Sequence, residues 1–210
     1  MTHGALTRRE VVVVQAGLGQ PSSTRLLADR LAEATSDALL ERGVEAHVRV
    51  VDLRRHAQAL ASTLLTGFAT GDLRADLDAV AAADGVIAVT PVFQASYSGL
   101  FKTFVDVLDD GALRGTPVLL AATAGTARHS LVLEHAMRPL FSYLKAVTVP
   151  TGVFAAAEDW GADGAVDAGL SGRVHVAAAE LADLLTGGRQ RPARVDEFAD
   201  PVPFEQLLHG

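Results

Sequence analysis

The chain has 210 residues, 49% of them hydrophobic and 20% charged, with a formal net charge of −7. That composition suits one globular α/β domain with a proper core, and the negative balance argues against nucleic acid as the main partner, because neutralising phosphates requires a basic face. The absence of cysteine excludes disulfides, thiolate catalysis and cysteine-based metal centres. No run approaches the ~20 apolar residues of a membrane span, and the polar start MTHGALTRRE has no signal-peptide core, so the expected location is the cytoplasm.

Residues 11–14, VVVV, read as a buried strand. Residues 22–42 place Leu26, Leu27, Leu31, Ala34 and Ala38 at helical spacing and stop at Gly43. Residues 44–53 alternate as a second strand, and 72–83 form a helical pattern before Gly85. Residues 86–89 are a third strand, which Pro91 is expected to stop. Residues 98–108 form a helix with Leu100, Phe104, Val107 and Leu108 on one face. A fourth strand at 117–122 precedes Gly125, and a helical pattern at 131–144 kinks or begins anew at Pro139. A fifth strand over 147–154 and a last helix over 174–185, ended by Gly187 and Gly188, complete a domain of residues 1–188. From Arg189 the chain turns Pro-rich and charged, which predicts a tail lying on the surface or on a partner subunit.

Strand and helix in regular alternation predict a parallel sheet covered on both faces. Five strands fit a flavodoxin-like three-layer sandwich of order 2-1-3-4-5, with its ligand at the carboxyl ends of the strands. Three loops lie there. The first, AGLGQPSSTR, lacks the lysine of a nucleotide-binding P-loop. It carries Ser22 where a dinucleotide fingerprint needs a third glycine, and the nearest strand-end acid, Asp52, is too far on. What remains is a turn offering the hydroxyls of Ser22, Ser23 and Thr24 with free N–H groups at a helix start, which suits one terminal monophosphate. Ser22 as a plain helix N-cap after Pro21 is an equally good reading of the same residues. The second loop, PVFQASYS, and the third, TAGTARHS, are polar strand-to-helix turns. In the 2-1-3-4-5 order all three converge on one crevice.

The run TPVFQASYSGLFKTFVDVL, then GTPVLLAATAGTARH, then AMRPLFSYLKA, closely resembles the NAD(P)H-dependent FMN reductase family. The resemblance covers roughly residues 11–154 and is nearest to reductases that supply reduced flavin to two-component monooxygenases, including alkanesulfonate and luciferase-like enzymes. It implies that the first loop holds the FMN phosphate through Ser22, Ser23 and Thr24. It implies that Pro91, Val92, Phe93 and Gln94 lie along the isoalloxazine ring, with Thr123, Ala124 and Gly125 bordering it. The first loop departs from the family's usual G-S-P-x-R-S turn, and Arg25 stands in for the displaced arginine. The implied substrates are FMN with NADPH or NADH, the implied partner is a flavin-dependent monooxygenase, and the implied assembly is a homodimer or homotetramer. Resembling reductases also carry an inserted residue that makes a π-bulge near the position of His135.

Hydride transfer to flavin needs stacking rather than acid–base chemistry, so no catalytic side chain and no metal is expected. Two other readings share the scaffold: a flavodoxin-like electron carrier that keeps its FMN, and a quinone or azo-compound reductase. Carriers usually shield the ring with aromatic side chains, whereas here aromatics are 5% and only Phe93 and Tyr97 lie near the second loop. That favours an open ring face. Among remaining residues, the Phe101, Phe104 and Leu108 stripe reads as core or subunit interface. Tyr97 reads equally as a stacking or a packing residue. Lys102 and Arg128 read as solvated or capping rather than phosphate-binding, and Trp160 as surface packing in a mobile loop.

Overall fold

A computed structural model describes residues 7–161 and 167–187. Among the described residues seven strands form one sheet, whose main path runs through β2 (Val44–Asp52), β1 (Thr7–Gln15), β3 (Gly85–Phe93), β5 (Pro117–Ala124) and β6 (Val147–Thr148). Strands β1, β2, β3 and β5 run parallel. The expected fifth strand is split into β6 and β7 (Val153–Ala156), which both pair with β5. The break contains Pro150, which has no N–H for a ladder. Counting only the parallel positions, this is the predicted 2-1-3-4-5 order.

The valines of β1 explain why both faces are covered. Val11 and Val13 belong to one apolar cluster with α1 (Ser23–Glu41) and α6 (Ala168–Thr186). Val12 and Val14 belong to the opposite cluster with α2 (Ala57–Thr66), α3 (Gly71–Ala82), α4 (Gly99–Asp106) and α5 (Arg138–Tyr143). A strand buried on both faces has no polar alternation, and four consecutive β-branched residues meet that demand.

Two features differ from the sequence expectations, and others settle readings that the sequence left open. Helix α2 follows a 3₁₀ turn at Leu53–His56, in a stretch with no assigned element. Strand β3 continues through Pro91 to Phe93. The proline is tolerated because Val89 O accepts from Ala16 N, the last bond on that side. Pro91 faces the same way two residues later, past the end of β1 at Gln15, so its missing N–H falls beyond that ladder. The stripe on α4 is core rather than interface: Phe101 and Phe104 are buried under the sheet, with Phe101 tilted against Phe141 at 6.3 Å between ring centroids. Residues 131–144 divide at the predicted place, into a π-helical turn at Leu133–Met137 and then α5, which has proline in its first turn. Trp160 is half-buried against the α1–α6 cluster. The segment from Arg189, and residues 162–166 of the loop expected to be mobile, lie outside the described residues. Among the described residues no helix is long and apolar enough to cross a membrane.

Candidate active site

At the end of β1 the buried Gln15 turns its amide oxygen back to accept from Gly17 N at 2.8 Å. Ser22 takes an extended backbone and caps α1, its Oγ accepting from Arg25 N at 3.2 Å. Leu26 N makes the first intrahelical bond, to Ser22 O. The N–H groups of Ser23 and Thr24 lie upstream of that bond and have no carbonyl of their own helix to reach. They form a natural anion site at the positive end of a 19-residue helix.

The three hydroxyls of this loop have separate fates. Ser22 is the helix cap. Thr24 is buried, and its Oγ1 lies 2.8 Å from Thr123 Oγ1 in the third loop. Ser23 alone is exposed. Ser22 and Thr24 thus hold the loop together, and Ser23 stands exposed beside the backbone N–H groups. Arg25 is exposed and forks onto Asp29, with Nε 2.7 and 2.9 Å from the two carboxylate oxygens.

The second loop is a hairpin that the sequence reading did not contain. Val92 and Phe93 pair antiparallel with Tyr97 and Ser96 of β4 (Ser96–Tyr97). Gln94 (φ 48°) and Ala95 (φ 66°) make the two-residue turn. Left-handed backbone at both central residues is the type I′ geometry, which ordinarily selects Asn-Gly, so Gln-Ala holds it under strain. The base is pinned where Ser98 N donates to Thr90 Oγ1 at 3.0 Å, with both residues buried. Phe93 is thereby raised to 46% exposure at the sheet edge, beside the exposed Gln94. Val92 packs partly onto the core, and Tyr97 packs on Phe101 at 6.1 Å between centroids.

Thr123 joins the three loops. It meets Thr24 of the first by its hydroxyl, pairs in register with Pro91 at the start of the second, and begins the third. Ala124 follows it half-buried, and at Gly125 a side chain would meet nothing within 4 Å. The predicted residues thus do come together, and the sequence reading missed Gln15, Thr90 and Ser98, which hold them there. Their signal was polar residues embedded in otherwise apolar strand ends. Lys102 pairs with Asp106, a hydrogen bond that raises its pKa, so the solvated reading of that residue stands. The loops at 16–25, 91–98 and 123–132 contain no Asp or Glu, in a chain whose net charge is −7.

An apolar ring with a phosphate tail fits this edge: N–H donors and one free hydroxyl at the α1 terminus, an exposed hairpin, an open glycine, and no carboxylate to repel an anion. Removing the internal hydroxyl pair tests the division of labour. Thr24→Val leaves buried Thr123 Oγ1 unpaired and is expected to cost about 1–3 kcal/mol of stability by urea unfolding, with FMN affinity changed less than by loss of Ser23. Thr24→Val with Thr123→Val is expected to recover most of that loss. A double variant as unstable as the sum of the singles would show that the hydroxyls do not form a pair.

The doubly wound sheet, with three loops meeting at the carboxyl ends of its strands, makes this a flavodoxin-like protein. Residues 9–161 match the family model described as NADPH-dependent FMN reductase. The chain is 40% identical over 186 residues to "FMN reductase (NADPH)" of Pseudomonas aeruginosa, covering 89% of this chain and 97% of that protein. It is 38% identical over 175 residues to "NADH-dependent FMN reductase SfnF" of Pseudomonas fluorescens, covering 83% and 91%. A crystal structure of an oxidoreductase from Corynebacterium diphtheriae superposes with TM-score 0.82 at 47% identity, covering 86% of this chain and 98% of that one. The chain belongs to the NADPH-dependent FMN reductase family and is an NAD(P)H:FMN oxidoreductase.

Proposed function

We propose that this chain reduces free FMN with NAD(P)H in the cytoplasm and hands the reduced flavin to a flavin-dependent monooxygenase. The observation that carries this reading is the meeting of three carboxylate-free loops at Thr123, with Phe93 and Gln94 exposed beside them. Ser23 and the N–H groups of Ser23 and Thr24 bind the phosphate. Backbone of Pro91–Gln94 and of Thr123–Gly125 lines the ring, while Ser22 and Thr24 position the loop. Arg25 adds positive charge partly spent on Asp29. When bound, FMN supplies the hydride-accepting centre, and the protein's part is stacking and electrostatic positioning. A ring held at an exposed edge is free to exchange, which suits a flavin used as a substrate and passed on.

The described surface carries exposed apolar side chains at Leu64 (52%), Leu65 (90%) and Phe68 (80%). This supports a homo-oligomer, a dimer or tetramer, with its contact outside the α4 stripe, whose Phe101 and Phe104 belong to the core. The domain proposed for residues 1–188 contains the whole family match.

The test is steady-state oxidation of NADPH and of NADH, with and without excess FMN. Purified protein is expected to lose flavin on dialysis and to regain saturable turnover, many cycles per subunit, when FMN is added with oxygen as acceptor. If each subunit accepts one hydride equivalent and stops, the chain is a carrier and the reductase reading fails.

A further inference from the structure

We propose that Arg128 recognises the 2′-phosphate of NADPH and makes this chain prefer NADPH over NADH. The inference rests on the reductase reading and names the substrate choice that the similar proteins leave open, since one is named for NADPH and another for NADH. The three site loops contain two permanently charged cations, Arg25 and Arg128. Arg25 has part of its charge offset by Asp29, whose two oxygens its Nε reaches. Arg128 is exposed and ion-paired with no carboxylate among the described residues.

Its placement is specific. It lies three residues past Gly125, exposed in a 3₁₀ turn at Ala127–His129 of the third loop. Arg128 Nε donates to His129 Nε2 at 3.3 Å. That contact spends the inner N–H and leaves the two terminal nitrogens of the guanidinium for a ligand. A guanidinium fork matches two phosphate oxygens at once, which a hydroxyl or backbone amide does not. The FMN phosphate already has the α1 terminus. A nicotinamide stacked on the ring must send the rest of the dinucleotide outward over the loop rim. The added anion that distinguishes NADPH from NADH is the 2′-phosphate, and Arg128 is the cation of the ring-side loops that has no carboxylate partner among the described residues. Arg54 and Arg55 are also exposed, but they follow β2, outside the three loops and next to Asp52.

The experiment pairs kinetics with a binding probe that needs no turnover. With excess FMN, the wild-type ratio of kcat/KM for NADPH over NADH is expected to exceed one. In Arg128→Ala it is expected to fall about tenfold or more, chiefly through KM for NADPH, with part restored by Arg128→Lys. Adenosine 2′,5′-bisphosphate is expected to bind the wild type more tightly than 5′-AMP by calorimetry, an advantage that Arg128→Ala removes. A ratio that stays constant, including equal losses with both nucleotides, overturns the proposal by assigning Arg128 to the shared pyrophosphate or to loop structure. Equal affinity for the two adenosine probes overturns it even if the enzyme turns over, whereas absent turnover with intact probe discrimination counts against the reductase reading alone.

Discussion

Replacing Gly17 with alanine is expected to weaken FMN binding about 100-fold while changing turnover at saturating FMN far less. A β-carbon at this position would sit 2.2 Å from Ser22 Oγ, 2.9 Å from Gln15 Oε1 and 3.2 Å from Thr24 Cβ. Those three atoms are the cap, the anchor and the brace of the first loop. Rotating Ser22 away removes the bond to Arg25 N, a capping loss of about 1 kcal/mol. Moving Gln15 instead breaks its bond to Gly17 N inside a buried site. The loop must therefore shift as a unit, and the N–H groups of Ser23 and Thr24 leave their aim. Two charge-assisted hydrogen bonds at about 1.5 kcal/mol each amount to about 3 kcal/mol, or two decades in Kd. Fluorescence quenching of FMN measures this, and a melting curve separates local displacement from unfolding. An unchanged Kd would remove the phosphate from the first loop.

The same loop shows how far residue types reach and where they stop. The turn after VVVV and the hydroxyl run after it point to a phosphate-sized anion at the α1 terminus, and the helix does start there. Residue type alone does not say which hydroxyl faces outward. Ser22 and Thr24 turn inward because a cap and a cross-loop bond each satisfy a polar group that would otherwise be buried alone. The hairpin at Gln94–Ala95 was illegible for a different reason: type I′ turns announce themselves by Asn-Gly, and here the surrounding pairs impose the conformation on residues that disfavour it. Pro91 misled in the opposite direction. A proline inside a strand costs a ladder bond only where a neighbour is present to receive it, and the neighbour's length is a property of the fold rather than of the local sequence. The α4 stripe was visible as apolar, but whether a stripe faces its own sheet or another subunit depends on what the fold places above it. By contrast, Pro139 marked the start of α5 correctly, because a missing N–H and a fixed φ act within one turn.

Arg138→Met is expected to lower stability by about 2–4 kcal/mol, through the segment that closes the sheet beside the third loop. Arg138 Nη1 donates to Thr148 Oγ1 at 2.9 Å and to Val149 O at 3.0 Å, and Nη2 donates to Pro150 O at 3.0 Å. The other side of the fork holds Glu134 in the π-helical turn at 2.7 and 3.0 Å. One side chain thus ties the helix that follows the third loop to the break between β6 and β7. Methionine keeps much of the stem's packing but leaves two backbone carbonyls without this partner, and a bond from a charged donor contributes about 1.5–3 kcal/mol. The half-exposed Glu134 pair adds little of its own. Lysine at this position is expected to recover only part of the loss, because a point charge cannot span the same acceptors. The carboxyl of Glu134 is held below its ordinary value chiefly by the hydrogen bond from Arg138. A carboxyl lowered in the folded state contributes fully above the ordinary value of about 4.3 and loses that contribution as pH falls through the lowered one. The melting-temperature gap between wild type and Glu134→Gln is therefore expected to be small and constant near neutrality, and to close under acid below about pH 4. The gap for Arg138→Met is expected to persist there, because the bonds to Val149 and Pro150 do not titrate. Urea unfolding at neutral pH measures the main effect, and a loss under about 1 kcal/mol would mean that the sheet break is held by packing rather than by this arginine.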